Sequence, residues 1–209
     1  MDLASAKISK GDNKLQSSDF IEFWKERYLF EIEYQNKLYE KIGIHLAIIT
    51  MIIGALGFML SNLHVFDSGK ISCVFFALLA ITILSLVICI YYLVRSIIKY
   101  EYAHLPNSSE INEYLIKLDE YYKNPAIKTK DKNKLLINDL NEIIAGYYVQ
   151  ASSQNMDNNV KRSAKIYNAT RALITTLIML SITLAPFFYK YSIYKKNEAK
   201  EITKNISMR

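Results

Sequence analysis

The side chains best suited to recognising a ligand are concentrated in one stretch of this 209-residue chain. Tyr147 and Tyr148 offer aromatic faces on which a base can stack. Gln154, Asn155, Asn158 and Asn159 follow with carboxamides that both donate and accept hydrogen bonds, and Lys161, Arg162 and Lys165 add positive charge. Basic groups beside aromatic faces suit nucleotides or single strands. The same residues also fit a plainer reading. Apolar periodicity lapses over SSQNMDNNVKR (152–162), which describes a solvated kink flanked by cations that snorkel to a membrane surface.

Catalytic chemistry shows no such concentration. His45, His64 and His104 lie on different segments without acidic neighbours at ligand spacing. With only six glycines, the chain has no HExxH, no Gly-rich phosphate loop and no nucleophile elbow. Asp119-Glu120 reads as a solvated helix surface. Cys73 and Cys89 share one apolar run, behave there as small hydrophobes, and are too few for a tetrahedral metal site. The expectation is a protein that is not an enzyme and has neither a metal nor a cofactor. His45, near the start of an apolar run, either lines a polar path or bonds a neighbouring helix.

The elements carrying these residues follow from how the charges are spaced. Hydrophobic residues make up 51% of the chain and charged ones 22%, so the charges must be clustered. Three stretches have none: 42–66, 71–94 and 172–189, of 25, 24 and 18 residues. A hydrocarbon core takes roughly 20 apolar residues as a helix. The composition therefore predicts an all-α integral membrane protein with three transmembrane helices. It argues against a soluble enzyme with an ordinary core, a secreted disulfide scaffold or a disordered tail. The first 41 residues carry seven Lys/Arg and eight Asp/Glu, unlike a signal peptide, so the first membrane helix should be an uncleaved anchor. Asp at position 2 and the NISMR end carry no lipidation signal.

Six segments follow. Residues 1–17 form a flexible N-terminus. An amphipathic helix over 18–41 starts at Ser18-Asp19 and runs into the first span, with Phe20, Trp24, Tyr28, Ile32 and Tyr39 on its apolar face. It either packs within the chain or lies at an interface with membrane or another copy. Residues 42–94 form a two-span hairpin around the short turn VFDSGK. A cytosolic helical insert over 95–171 opens on the collar of Tyr91, Tyr92, Arg95, Lys99, Tyr100 and Tyr102. It contains a helix capped at Asn107-Ser108-Ser109 and closed at Pro125. A second insert helix starts at Asp131, and its seam of Leu136, Leu140, Ile143 and Tyr147 needs a partner from this chain or from another copy. The third transmembrane segment is 172–189, and 190–209 is a basic tail.

The excess of Lys/Arg flanking the spans puts the N-terminus and the insert in the cytoplasm. Three spans then place the tail outside, although that tail holds six Lys/Arg and two acids. Either a short basic tail crosses, or the third segment bends back at Pro186.

The first span carries one further pattern. Gly43, Ala47, Thr50, Gly54, Gly57 and Ser61 fall on a single stripe. Small residues let helices approach closely in lipid. The stripe either packs on the second span or faces other copies around a narrow pore. The other spans carry weaker polar lines at Thr82, Ser85 and Cys89, and at Thr176 and Thr183. With no charged residue in any span, an ion-coupled transporter is disfavoured, while a pore gated by hydrophobic constriction is not.

The layout resembles a known group. A charged helix (FWKERYLFEIEYQNKLYEK) leading into a tight two-span hairpin and cytosolic helices is similar to the SLATT-type membrane effectors of bacterial anti-phage systems. The third span, entered through NNVKRSAKIYNATRALI and ending in APFFY, departs from that plan. It looks more like the wider group of small membrane effectors that includes the effector of the Hailong system. The resemblance covers roughly residues 18–190 and is one of layout. It implies a homo-oligomer, such as a tetramer, in the bacterial inner membrane that depolarises it during infection. It further implies control by a nucleotide or short oligonucleotide made by a partner nucleotidyltransferase. By position, 43–61 would line or pack the pore and 147–165 would hold the ligand. The alternative is a non-conducting membrane scaffold that recruits a cytosolic partner.

Overall fold

The computed structural model describes residues 17–66, 69–123 and 131–207, and every regular element among them is helical. In order they are α1 (Ser17–Ser61), a short 3-10 turn (Leu63–Val65), α2 (Lys70–Ile97), α3 (Ser108–Lys123) and α4 (Lys132–Ser207). Of the flexible start expected over 1–17, residues 1–16 lie outside the described residues, as do part of the hairpin turn and the loop around Pro125, while Ser17 opens α1. Three helices are long and apolar enough to cross a membrane: α1, α2 and α4.

Each of these helices buries a single narrow seam. Besides Glu31, α1 buries Leu38, Ile42, His45, Ile49, Ile52, Leu56 and Met59. On α2 they include Ser72, Phe75, Leu79, Thr82, Leu86, Cys89, Leu93 and Ser96. Steps of three and four alternate along both. That 3.5-residue repeat keeps one face toward its partners as the helices coil around each other. The remaining faces, with Met51, Ile53, Val74, Leu84 and Val87, are apolar yet exposed, as suits helices bathed in lipid rather than water.

α4 corrects one reading of the sequence. No kink interrupts 152–162, and the third apolar segment is the interior of a single 76-residue helix. Ser152, Asn155, Asn159, Arg162, Ile166, Ala169, Leu173, Thr176, Leu180, Thr183 and Phe187 are all buried, at unbroken three-four spacing. The seam passes straight through the apparent lapse. Its residues there are polar but are not solvated. Pro186 has no N–H to offer the Ile182 carbonyl, yet α4 stays helical to Ser207 and does not turn back.

The chain divides into two compact units. One comprises the chain up to Tyr34 with Glu101–Asn158, the other Gln35–Tyr100 with Asn159–Arg209. In the first, the Asn107 side-chain oxygen accepts the Glu110 N–H at 2.9 Å and also the Ser109 hydroxyl, which starts α3 as the cap residues predict. At the Tyr147 end of the Leu136–Tyr147 seam, and at neighbouring Asp139, α3 of the same chain meets α4. Tyr114 meets Tyr147 with ring centroids 6.4 Å apart, and the Tyr122 hydroxyl donates to Asp139 at 2.6 Å. In the second unit α2 ends at Ile97 with Ile98 as its cap, and Lys99 follows at φ 73°, the left-handed conformation that commonly terminates a helix.

Candidate functional site

The second unit joins its helices through hydroxyl groups. Thr82 and Thr183, each fully buried, place their oxygens 3.1 Å apart. Thr176 donates to Ser85 at 2.9 Å, and Ser85 donates to the Ala172 carbonyl at 3.3 Å, forming a short relay between α2 and α4. The Cys89 thiol lies 3.4 Å from the Ala169 carbonyl. The polar lines of the second and third spans therefore face each other and are used within the chain. His45 is used there too. Its Nδ1 donates to the Lys41 carbonyl at 2.7 Å, and its Nε2 lies 2.8 Å from the Thr170 hydroxyl on α4. Of its two sequence readings, the bond to a neighbouring helix is the one observed.

The stripe of the first span has the opposite fate. Gly43, Ala47, Thr50, Gly54, Gly57 and Ser61 are all exposed. No atom comes within 4 Å of where a Cβ would sit on Gly43, Gly54 or Gly57. Packing of this stripe on the second span is therefore overturned. The chain's own contacts use the larger residues of the adjacent face, because branched side chains fill the space between three helices better than glycines do. The Thr50 and Ser61 hydroxyls fold back onto the Leu46 and Gly57 carbonyls at 2.9 Å each.

The residues expected to bind a ligand are split, because the boundary between the units falls after Asn158. In the first unit, carboxamides clamp the extended backbone that follows α2. The Asn155 oxygen accepts the Ala103 N–H at 2.8 Å while its NH2 donates to the Ala103 carbonyl at 3.1 Å, a two-point pairing like that between strands. Gln154 and Asn158 both donate to the Glu101 carbonyl, at 3.2 and 2.6 Å. Tyr148 packs edge-on against Tyr28 with centroids 5.8 Å apart. In the second unit Asn159 and Arg162 are buried, Lys165 is half-buried and Lys161 exposed. The Arg162 guanidinium lies 4.3 Å over the Tyr39 ring and 5.9 Å from that of Tyr100. Its Nε donates to the Ser96 carbonyl at 3.0 Å, placing a cation at the negative end of the α2 dipole.

Two of the expected residues, Tyr147 and Gln154, line a cavity of about 480 Å³ in the first unit. Its other walls come from Ala103, His104, Leu105, Pro106, Asn107, Glu110, Gln150 and Ala151. The clamp by Asn155 helps shape it, since it holds one wall against α4. The lining contains no Lys or Arg, and its acidic group is Glu110. Hydrogen bonding with Tyr114, followed by desolvation, holds the Tyr147 phenol above its ordinary range, so it remains a neutral donor. Such a cavity suits a flat polar group that stacks on Tyr147 and presents N–H to Glu110 or the amides. His104 and Glu110 were missed from sequence because they come from other elements, whereas Gln150 stands on α4 itself, one turn from Tyr147. The only signal was the cap at Asn107, which places Glu110 beside the preceding segment. A smaller cavity of about 280 Å³ lies among Phe23, Trp24, Arg27, Ser152, Ser153 and Met156. Among the described residues, no group of three or more His, Cys, Asp or Glu could hold a metal ion.

Fold and site together define a helical protein with three helices long and apolar enough to cross a membrane and a polar cavity in its other unit. No family model, no curated protein and no solved structure matches the chain.

Proposed function

We propose that this protein is a pore-forming membrane effector of bacterial anti-phage defence. On this reading it is a multi-pass protein of the inner membrane with a cytoplasmic N-terminus, and it works as a homo-oligomer. A nucleotide or short oligonucleotide from a partner nucleotidyltransferase controls whether it depolarises the membrane. The observation that carries the reading is the exposed stripe from Gly43 to Ser61. Buried hydroxyls of α2 and α4 and the His45 imidazole of α1 find partners between these helices, yet the surface best suited to close helix approach in lipid is left facing outward. A second copy can use that surface. The cavity holding Tyr147 and Gln154 supports a control ligand, with its base stacked there.

Conductance of the purified chain across a planar bilayer, before and after stripping any bound nucleotide, tests this. Discrete current steps that change on stripping are expected. Gly54→Leu has room within the chain, since nothing lies within 4 Å of that position. It should sharply lower conductance by blocking close helix contact, while leaving helicity intact. A bilayer that stays silent in both ligand states, with inserted protein confirmed, would favour the non-conducting scaffold.

A further inference from the structure

The second unit carries a groove of about 600 Å³ between the first turns of α2 and the part of α4 around Pro186. Val74 and Leu78 form one wall, and Ile182 and Pro186 the other. At one end stand Lys70 and Tyr189. The groove opens outward, with Val74 54% and Ile182 48% exposed. Lys70 makes no ion pair with any described residue.

In hydrocarbon, apolar walls gain nothing from one another through the hydrophobic effect, because lipid tails are as apolar as leucine. An empty groove still forfeits dispersion contacts along its length, so something flexible and apolar fills it. The end of the groove adds specificity. An ammonium at the first residue of α2 and a phenol at the end of the apolar run within α4 are placed for the headgroup layer, where Lys attracts phosphate and Tyr is favoured. A cation at the mouth and an apolar trough behind it complement the two halves of a phospholipid.

We propose that this groove binds one acyl chain of a phospholipid whose phosphate pairs with Lys70, and that it prefers anionic lipids. The proposal rests on the reading that α2 and α4 cross a membrane. The test uses the full chain in native membranes with a photoreactive p-benzoylphenylalanine in place of Val74. Irradiation should give an adduct heavier by one phospholipid. A cross-linked dimer would overturn the proposal, since the groove would then hold a second copy, and so would the absence of any adduct. For the headgroup, native mass spectrometry of chain extracted from mixed phosphatidylglycerol and phosphatidylcholine vesicles should show the anionic lipid enriched. Lys70→Gln should reduce that enrichment about fivefold, the factor for one interfacial cation. An unchanged lipid ratio would refute the role given to Lys70. Release of the chain from membranes by a carbonate wash would sink the membrane reading itself, and the groove proposal with it.

Discussion

The two units of this protein handle buried polarity in different ways. The unit built from Gln35–Tyr100 and Asn159–Arg209 relies mainly on hydroxyls, whereas the unit containing Glu101–Asn158 buries the Asn155 carboxamide, the Ser152 hydroxyl and the Glu31 carboxylate, the last paired with Arg27 at 2.9 Å. The hydroxyls have a local alternative. Thr82, Thr176 and Thr183 each reach the carbonyl four residues back in their own helix, at 2.8, 2.8 and 2.7 Å. A hydroxyl that loses its partner on the next helix is therefore still satisfied, which is what a group in hydrocarbon requires. Asn155 has no equivalent. Its amide is shaped to the backbone of Ala103, and the N–H and C=O it serves are not in any helix. The cost of losing a polar side chain here should follow whether the remaining groups can be satisfied locally.

Arg162 offers the hardest test, because it is a fully buried cation within the hydroxyl-rich unit. Arg162→Ala removes a fully buried guanidinium, its stacking on Tyr39 and its bond to the Ser96 carbonyl. A loss of about 3 kcal/mol is expected in unfolding measured in detergent or nanodiscs, from a desolvated cation–π contact and a charge-assisted hydrogen bond. Arg162→Lys should recover part of it, since a lysine keeps the charge but not the planar stack. A loss below 1 kcal/mol would mean that the unit, rather than local satisfaction, sets the cost.

Asn155→Leu should come next. It leaves the partly buried backbone N–H and C=O of Ala103 unpaired, at about 2 kcal/mol in all. It should also speed amide exchange at Ala103, which a simple packing defect elsewhere would not do. Thr176→Val should cost far less, about 0.6 kcal/mol, the typical value for a hydrogen bond between helices in lipid. If Thr176→Val proves as costly as Asn155→Leu, the contrast between hydroxyl and carboxamide is wrong.

The smallest effect is confined to alkaline pH. The hydrogen bond to Asp139 pushes the Tyr122 phenol from 10.0 up to about 12. A phenol raised on folding contributes stability that is fully present below about pH 10 and is lost as pH rises through about 12. Tyr122→Phe should remove that alkaline decline from a plot of melting temperature against pH. A slope between pH 10 and 12 that Tyr122→Phe leaves unaltered would place the titration elsewhere.

Much of the fold was readable residue by residue. The uncharged runs 71–94 and 172–189 lie within α2 and α4, the run 42–66 lies in α1 as far as Ser61, the cap at Asn107 starts α3, and α1 continues from its amphipathic part into its apolar part without a break. The candidate site was readable only in fragments. Tyr147 and Gln154 do line a cavity, while Asn155, Asn158 and Arg162 hold the chain's own backbone. Amides and guanidinium groups bind a ligand and a carbonyl with the same chemistry, so side-chain type cannot tell the two uses apart. The lapse at 152–162 misled for a related reason. A hydropathy pattern records where apolar residues recur, and α4 carries its seam through that stretch on Ser152, Asn155, Asn159 and Arg162 instead.

Length, charge-free runs and cap residues are local properties, and they were enough to set which segments become helices and which of those are long and apolar enough for a bilayer. Which face of each helix turns inward is a collective matter. Gly43 to Ser61 and Ile42 to Met59 are both three-four stripes on α1, and either could have formed the seam. Packing chose the second because its larger side chains fill the space against neighbouring helices, and the small-residue stripe was left outside for whatever approaches next.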